Sequence, residues 1–214
     1  MSQVNQIYIL SDKKVEGAKN LPMLEIKYLQ QEINLSQYDA LIFTSKNAVK
    51  SIDSMDNSWK GIPSYVIAPQ TAKLLESLGG KLVFTGKQNH GNEFAGEIQE
   101  ELKGKKVLYV RGKKIISNIL DILNDNSVDC DSIAIYETVC KRYKEKLVLP
   151  KHSVIIFSSP STIECFFGNV QWDDTFKAVC IGKTTAKYFP SNIVPHISDT
   201  TSLVSCVKKA QELS

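Results

Sequence analysis

Short apolar runs alternate with amphipathic stretches along almost the whole chain. Ten such runs indicate β-strands, at residues 6–10, 24–29, 40–44, 64–68, 81–84, 106–110, 133–139, 153–157, 177–181 and 194–197. Several of them, such as "ALIF" and "SVIIF", are apolar throughout rather than alternating. Continuous apolar runs of this length are typical of parallel strands whose sheet is covered on both faces.

The segments between the apolar runs have helical spacing. In "NEFAGEIQEEL", Phe94, Ile98 and Leu102 recur every four residues and form one apolar stripe. The pattern predicts helices over 47–56, 70–78, 92–103, 113–124, 161–167, 184–189 and 201–212. Regular alternation of strands and helices predicts an α/β fold.

Part of this pattern occurs twice. Residues 40–49, "ALIFTSKNAV", resemble residues 154–163, and the same offset of 114 places "VIAPQTAK" (66–73) on "CIGKTTAK" (180–187). Two separated segments that share one offset indicate a duplicated structural unit. We name this unit P, with copies P1 and P2 in chain order.

A second, weaker repeat precedes each copy of P. "IYILSDKK" (7–14) and "VLYVRGKK" (107–114) both end an apolar strand in a polar pair followed by two lysines. We name this unit Q, which gives the chain order Q1–P1–Q2–P2. Each domain needs one Q and one P, and the residues permit both divisions, Q1P1 with Q2P2 or Q1P2 with Q2P1.

Composition excludes several classes of protein. The 214 residues are 43% hydrophobic with a net charge of +3, which suits one large or two small globular domains and is too mild for a nucleic-acid partner. The five cysteines include no CxxC pair, and the three histidines are far apart, which argues against a zinc site or disulfide framework. With neither a leader nor a long apolar run, the sequence predicts a cytoplasmic protein with no membrane partner.

Candidate chemistry lies where the predicted strands end. Ligands of doubly wound sheets bind at the carboxyl ends of the strands, and these ends are rich in hydroxyls and cations but poor in carboxylates. The residues there are Ser11, Lys13, Thr44, Ser45, Asn47, Thr71, Arg111, Gly112, Ser158, Ser159, Ser161, Gly182, Lys183, Thr184 and Thr185. Because these loops also open helices, whose free N–H groups attract anions, the set predicts a ligand with several carboxylates or phosphates.

Each of these residues also has a plainer interpretation. Ser and Thr are preferred helix N-caps, so any single hydroxyl could serve only to cap its helix, and Lys13 could be a solvated surface residue. Arg111 followed by Gly112 is a stronger signal, since glycine permits close approach and arginine binds carboxylates bidentately. Motifs for dinucleotides, phosphate loops and nucleophilic serines are missing, and the sequence implies neither a cofactor nor a metal.

Six segments, taken in order, resemble the markers of the uroporphyrinogen-III synthase family. They are "ALIFTSKNAV", "VIAPQTA", "VLYVRG", "IAIYETV", "IIFSSPSTIECFF" and "AVCIGKTTA", and together they cover essentially the whole chain. The resemblance implies two similar doubly wound parallel-sheet domains joined by a two-stranded extended linker. One domain would comprise residues 1–26 and 146–214, the other 34–132, and the linker strands 27–33 and 133–145.

The resemblance also implies an activity. Enzymes of this family are cyclising hydro-lyases that convert the linear tetrapyrrole hydroxymethylbilane to uroporphyrinogen III, with inversion of ring D and loss of water. They need no cofactor and hold the substrate by its carboxylates in the cleft between the domains. The implied partners are this small molecule and, transiently, the preceding deaminase. The oligomeric state is open, and nothing in the sequence demands more than a monomer.

The family's binding residues map onto this chain with one departure. Its loop hydroxyls fall on Ser45, Asn47, Ser159 and Ser161, and its second motif places threonines at Thr71, Thr184 and Thr185. Its proposed acid, a tyrosine after the "SPS" turn, falls on Cys165. A thiol could donate the proton, yet Cys165 could equally be a buried helix residue.

Two tyrosines bear on this departure. Tyr188 could replace the missing acid if its ring reaches the cleft, whereas Tyr136, in the "Y-x-T" of the linker, is expected to serve packing. The departure also leaves open a non-catalytic module that binds a polycarboxylate or tetrapyrrole. A phosphosugar or nucleotide enzyme is disfavoured because phosphate-loop glycines are missing.

Overall fold

A computed structural model of the chain describes residues 5–87 and 90–214. The chain divides into two compact units. The first comprises Met1–Glu25 and Val139–Ser214, and the second comprises Ile26–Thr138.

Strands and helices alternate in both units. The strands are β1 (Ile7–Ile9), β2 (Lys19–Asn20), β3 (Leu24–Tyr28), β4 (Ala40–Phe43), β5 (Ser64–Val66), β6 (Leu82–Thr85), β7 (Lys106–Gly112), β8 (Asp129–Cys140), β9 (Val154–Phe157), β10 (Lys177–Cys180) and β11 (His196–Ile197). The helices are α1 (Lys46–Asp53), α2 (Pro69–Ser77), α3 (Gly91–Leu102), α4 (Ile119–Asp125), α5 (Pro160–Asn169), α6 (Lys183–Ala186) and α7 (Leu203–Glu212). Short 3₁₀ turns occupy Leu35–Gln37 and Asn57–Gly61.

The strands form two sheets. The first has the order β11-β10-β9-β1-β2, and the second has the order β3-β8-β7-β4-β5-β6. Neighbouring strands run parallel from β2 to β11 in the first sheet and from β8 to β6 in the second. The prediction of an α/β fold with parallel sheets is therefore confirmed.

The two copies of unit P fold alike. P1 forms β4–α1–β5–α2–β6–α3, and P2 forms β9–α5–β10–α6–β11–α7. The strand of Q1, β1, pairs with β9 of P2, and the strand of Q2, β7, pairs with β4 of P1. The first sheet thus has the flavodoxin-like order 2-1-3-4-5, and the parallel strands of the second sheet have the same arrangement circularly permuted along the chain, with β3 as an added edge strand. The strand order reverses between β1 and β9 in the first sheet and between β7 and β4 in the second.

The apolar character of the strands follows from burial on both faces. All four residues of β4 and of β9 are buried. In the second unit, one face of the sheet packs against α3 and α4 through residues such as Phe94 and Leu123, and the other packs against α1 and α2. In the first unit, α5 covers one face and α7 covers the other.

The largest differences from the sequence predictions concern one helix start, one missed strand and one strand start. The helix predicted over 113–124 begins only at Ile119, and the preceding loop exposes Ile115 and Ile116. Strand β2 was missed because its two residues, Lys19 and Asn20, are exposed and polar. Strand β8 begins at Asp129 rather than 133 because "DCDS" alternates charged and small residues, which lack a continuous apolar signal.

The expectation that the cysteines form no disulfide is wrong for one pair. Cys140, the last residue of β8, is bonded to Cys165 of α5, with 2.04 Å between the sulfur atoms. The two lie 25 residues apart, so only tertiary folding brings them together, and spacing rules could not indicate the pair. The other three cysteines, Cys130, Cys180 and Cys206, are buried free thiols.

Candidate functional site

A cavity of about 580 Å³ opens in the second unit, at the carboxyl ends of β4 and β7. This is the point where the strand order reverses, and ligands of doubly wound folds bind at such points. Its lining includes cations, hydroxyls and two phenols. The lining residues are Thr44, Ser45, Ile67, His90, Gly91, Asn92, Glu93, Tyr109, Arg111, Gly112, Lys114, Ile116, Ser117 and Tyr136.

The end of β4 supplies two hydroxyls with different surroundings. The Thr44 hydroxyl lies 3.1 Å from the Tyr109 hydroxyl on the neighbouring strand, so the two form a hydrogen bond within the cavity wall. Ser45 is the N-cap of α1 and its oxygen accepts from the Asn47 N–H at 3.1 Å. Ser45 therefore has the capping role that the sequence left open, while its side chain still lines the cavity.

Arg111 brings a positive charge that no carboxylate neutralises in the described part of the chain. Its Nε donates to the Ser132 hydroxyl at 3.2 Å, and its Nη1 donates to the Gly112 carbonyl at 3.1 Å. Both acceptors are neutral and orient the guanidinium without cancelling its charge. Lys113 is different, because it forms an ion pair with Glu137 at 3.1 Å.

Tyr136 contributes a phenol to the same cavity. It lies on β8 opposite Gly112, and a Cβ atom built on Gly112 would stand 2.8 Å from the ring carbon Cζ and 3.0 Å from the hydroxyl oxygen. The ring also packs against the core that α1 and α2 cover. The expectation that Tyr136 serves packing is therefore incomplete, since the side chain lines the cavity as well.

The cavity has more positive than negative groups. Arg111 and Lys114 are cationic, and Glu93 is the one carboxylate among the lining residues that the structure describes. This balance suits an anionic ligand. Within residues 5–87 and 90–214, no group of three or more His, Cys, Asp or Glu side chains is arranged to hold a metal ion.

Thr71 does not reach this lining. It is buried within the first turn of α2, 4% exposed, and its N–H donates to the Ala68 carbonyl. Asn47 lies on α1 beside Ser45 and contributes its N–H to the cap. A role for either side chain in binding stays a prediction.

The remaining predicted binding residues lie at the corresponding edge of the first unit. Ser11 and Lys13 follow β1, Ser158 and the next residues follow β9, and the Gly182 loop follows β10. Ser159 is the N-cap of α5, Ser161, Lys183 and Thr184 are exposed, and Thr185 is buried at 3% exposure. The Ser11 oxygen accepts from the N–H of Lys13 at 3.1 Å. Their role as substrate ligands stays a prediction.

The structure argues against Cys165 as the proton donor. Cys165 is 2% exposed and is bonded to Cys140. A disulfide sulfur carries no proton, so this side chain has none to donate. Tyr188, the alternative candidate, lies just after α6 and is 62% exposed, and its role stays a prediction.

Sequence reasoning missed several residues of the cavity. Tyr136 lies on a strand and was expected to serve packing, and Tyr109 lies within a strand for which no binding role was predicted. His90 and Asn92 come from the start of α3, and Ser117 comes from the loop before α4, where there is no strand-end signal. Asn92 accepts from the N–H of Asn118 at 2.9 Å, which ties the start of α3 to the loop before α4. The sequence signals that pointed here were Thr44 and Ser45, at the end of β4, and Arg111–Gly112, at the end of β7.

Comparisons with known proteins agree with this architecture. Residues 17–208 match the family model described as "Uroporphyrinogen-III synthase HemD". The chain is 23% identical over 200 residues to a uroporphyrinogen-III synthase of Chlorobaculum parvum, which covers 83% of this chain and 81% of that protein.

A solved structure is also similar. The crystal structure of uroporphyrinogen-III synthetase from Helicobacter pylori superposes with a TM-score of 0.75 and 28% identity, over 99% of this chain and 100% of that one. Because the family match spans most of the chain and this likeness runs over its full length, the chain belongs to the uroporphyrinogen-III synthase family.

Proposed function

We propose that this chain cyclises hydroxymethylbilane to uroporphyrinogen III, with inversion of ring D and loss of water, and that the cavity of the second unit holds one end of this substrate. Arg111 is the observation that carries the proposal. Its guanidinium lines the cavity, is held by two neutral acceptors and forms no ion pair within the described residues. A charge oriented in this way suits a substrate carboxylate.

The hydroxyls of the cavity extend this binding. Thr44 and Ser45 stand at the end of β4, the Tyr109 hydroxyl of β7 is hydrogen-bonded to Thr44, and all three can meet carboxylate oxygens or pyrrole N–H groups. Ile67 and Ile116 add apolar surface to the same wall. A polycarboxylated pyrrole combines an apolar ring face with anionic side chains, which matches this mixture.

The chemical task is to control where a reactive intermediate closes. Breaking the C–O bond of the hydroxymethyl group, with a proton delivered to its oxygen, releases water and leaves a protonated azafulvene cation. Attack by the substituted carbon of ring D then forms the spiro intermediate, which rearranges and loses a proton to give the inverted macrocycle. Holding the terminal rings in this geometry can supply much of the selectivity.

We assign the proton delivery to Tyr136. Its phenol lines the cavity that also contains Arg111, whereas the sulfur of Cys165 is in a disulfide. The phenol protonates the departing hydroxyl, and the phenolate recovers a proton when the macrocycle loses one, so the group is restored after each turnover. A positioned acid of this kind contributes typically about 10²- to 10⁴-fold in rate.

The remaining parts of the proposal concern cofactors, partners and location. The family chemistry draws its electrons from the pyrroles, so we propose a cofactor-independent hydro-lyase that acts as a cytoplasmic monomer. Transient hand-over from the preceding deaminase and binding of the substrate between the two units stay predictions. No helix in the described part of the chain is long and apolar enough to span a membrane.

Separation of porphyrin isomers tests the activity directly. Hydroxymethylbilane is generated in situ, the protein is added, and the products are oxidised and resolved into isomers I and III. We expect isomer III to exceed the protein-free control, in which closure without inversion gives isomer I. Equal isomer ratios with and without protein would refute the enzyme and favour a binding module of the same fold.

Replacement of Tyr136 by Phe tests the acid. We expect Tyr136→Phe to lower kcat by about 100-fold while KM changes little, because the ring and its packing are kept and only the hydroxyl is lost. Tyr188→Phe serves as the comparison, since Tyr188 is mostly exposed and lies outside the cavity lining. A larger reduction of kcat in Tyr188→Phe than in Tyr136→Phe would assign the role of proton donor to Tyr188.

A further inference from the structure

Strand β8 contains an irregularity next to the cavity. Arg111 of β7 pairs with Ala134, but the next residue, Gly112, pairs with Tyr136, so Ile135 is an extra residue in β8. Such a β-bulge bends its strand and redirects the following side chain. Here the redirected side chain is Tyr136, which lies among the lining residues of the cavity.

A buried hydroxyl anchors the bulge. The Ile135 carbonyl accepts from the Ser51 hydroxyl at 2.7 Å and from the Leu29 N–H at 2.9 Å. Ser51 lies on α1 and is fully buried, and this bond gives its hydroxyl the partner that a buried donor needs. The contact fixes the extra residue against the helix that follows Thr44 and Ser45.

Gly112 provides the space that the redirected ring occupies. A Cβ atom at this position would stand 2.8 Å from Tyr136 Cζ, closer than real Cβ contacts allow, and 3.1 Å from its Cε2, closer than most of them. The neighbour in conflict is the far end of one side chain and not backbone. An alanine at this position therefore displaces the phenol and leaves the strand in place.

We propose that Ser51 and Gly112 are positioning residues for Tyr136. Ser51 holds the bulge that turns the ring toward the cavity. Gly112 leaves room for the ring beside Arg111, and its carbonyl accepts a hydrogen bond from Arg111 Nη1 at 3.1 Å. The inference rests on the proposed role of Tyr136 as proton donor. Its consequence is that both residues act on turnover through the phenol and not through substrate affinity.

Double-mutant cycles test this coupling. Gly112→Ala and Ser51→Ala should each lower kcat at least tenfold with a smaller change in KM. In the Tyr136→Phe background, neither substitution should lower kcat further, because the hydroxyl they position is already gone. If Gly112→Ala or Ser51→Ala lowers kcat by the same factor in the Tyr136→Phe background as in the wild type, the proposal is overturned.

Two control substitutions match the variants. Ser64→Ala removes another fully buried serine of the same unit, whose hydroxyl donates to the Ile62 carbonyl at 3.1 Å, away from the cavity lining. Gly96→Ala adds a Cβ where nothing lies within 4 Å. Both controls should keep kcat. If Ser64→Ala lowers kcat as much as Ser51→Ala does, lost stability and not positioning explains the effect of Ser51→Ala.

A spectroscopic readout separates this proposal from the proposed function. In protein labelled with fluorotyrosine, the fluorine resonance of Tyr136 is identified by its disappearance in Tyr136→Phe. It should shift in Gly112→Ala and in Ser51→Ala and stay unchanged in the two controls. An unshifted resonance would overturn the positioning role even if the enzyme is active, whereas failure of the isomer assay with a shifted resonance would overturn only the function.

Discussion

Arg111 shows how one side chain can be prepared for a ligand by its neighbours. Its two acceptors, the Ser132 hydroxyl and the Gly112 carbonyl, are neutral, so they fix the orientation of the guanidinium and leave its charge unbalanced. Lys113, two residues further along the chain, already has Glu137 as its partner. The difference between these two cations lies in their surroundings and not in their net charge.

Removal of the Arg111 charge should weaken substrate binding. A hydrogen bond to a charged group contributes about 1.5–3 kcal/mol, so Arg111→Gln should raise KM roughly 10- to 100-fold, and wild-type KM should rise with salt concentration. Lys113→Gln removes the same charge from a residue already paired with Glu137, and KM should change less than threefold. Steady-state kinetics at two ionic strengths measures both effects. Similar KM values for the two variants would show that general charge, and not Arg111, attracts the substrate.

At the scale of elements, β8 connects several features of the second unit. Asn124 near the end of α4 accepts from the Cys130 N–H at 3.0 Å and donates to the Cys130 carbonyl at 3.1 Å, so it fixes the helix to this strand. The Cys130 side chain is buried in the core beneath α3 and α4. Strand β8 therefore carries both a core thiol near its start and Tyr136 beyond its bulge.

The burial of Cys130 predicts an alkaline loss of stability. Burial, with a smaller contribution from Asp131, raises the pKa of the Cys130 thiol from 9.0 to about 12. The folded protein keeps a proton that the unfolded chain loses above pH 9, so this contribution is complete below pH 9 and disappears as pH rises toward 12. The free energy of unfolding should fall by up to about 1.4 kcal/mol per pH unit in that window.

Urea unfolding of wild type and Cys130→Ala between pH 8 and about 11 checks this slope. The variant should have a lower stability at pH 8, because a buried side chain is truncated, but a shallower decline above pH 9. Ser77→Ala, a change on the exposed side of α2, should keep the wild-type slope. Parallel declines in wild type and Cys130→Ala would show that Cys130 does not cause the alkaline sensitivity.

The elements themselves were predictable where apolar burial is strong. Strands β4 and β9 are buried at every position, and both were predicted from their apolar runs. The prediction was wrong over 113–118, because "KKIISN" contains two isoleucines that the pattern assigned to a helix face, whereas the structure exposes both. The bulge at Ile135 was not predictable, since it depends on Ser51 from a distant helix.

At the scale of the whole molecule, each unit has its own cores and its own tryptophan. Trp59 is fully buried in the second unit, beneath α1 and α2. Trp172 packs in the first unit against the rings of Phe166 and Phe176. The Cys140–Cys165 disulfide lies within the first unit.

Loss of the disulfide should therefore destabilise one unit selectively. Closing a loop of 25 residues stabilises a folded protein by about 3.5 kcal/mol through the entropy of its unfolded chain. In Cys140→Ala and in Cys165→Ala, the unfolding midpoint reported by Trp172 fluorescence should fall equally, and that reported by Trp59 should not change. Trp59→Phe and Trp172→Phe backgrounds separate the two signals.

The same variants test the earlier assignment of the acid. Both should keep kcat within about twofold at temperatures where they are folded, since neither sulfur donates a proton. Ser159→Ala and Thr185→Ala should lower the rate more than Cys165→Ala if carboxylate positioning is the main contribution. Loss of kcat in Cys165→Ala but not in Cys140→Ala would instead assign a catalytic role to the Cys165 thiol.

The sequence by itself determined the α/β class, the repeated unit and the cation- and hydroxyl-rich strand ends, because burial on both sheet faces and loop chemistry are local properties of the chain. Tertiary structure alone decided which repeats pair, that Cys140 meets Cys165, and that Tyr136 lines a cavity beside Arg111. These features depend on contacts between residues distant in sequence. No local sequence pattern indicates the bulge at Ile135, the Cys140–Cys165 disulfide or the space that Gly112 leaves for the Tyr136 ring.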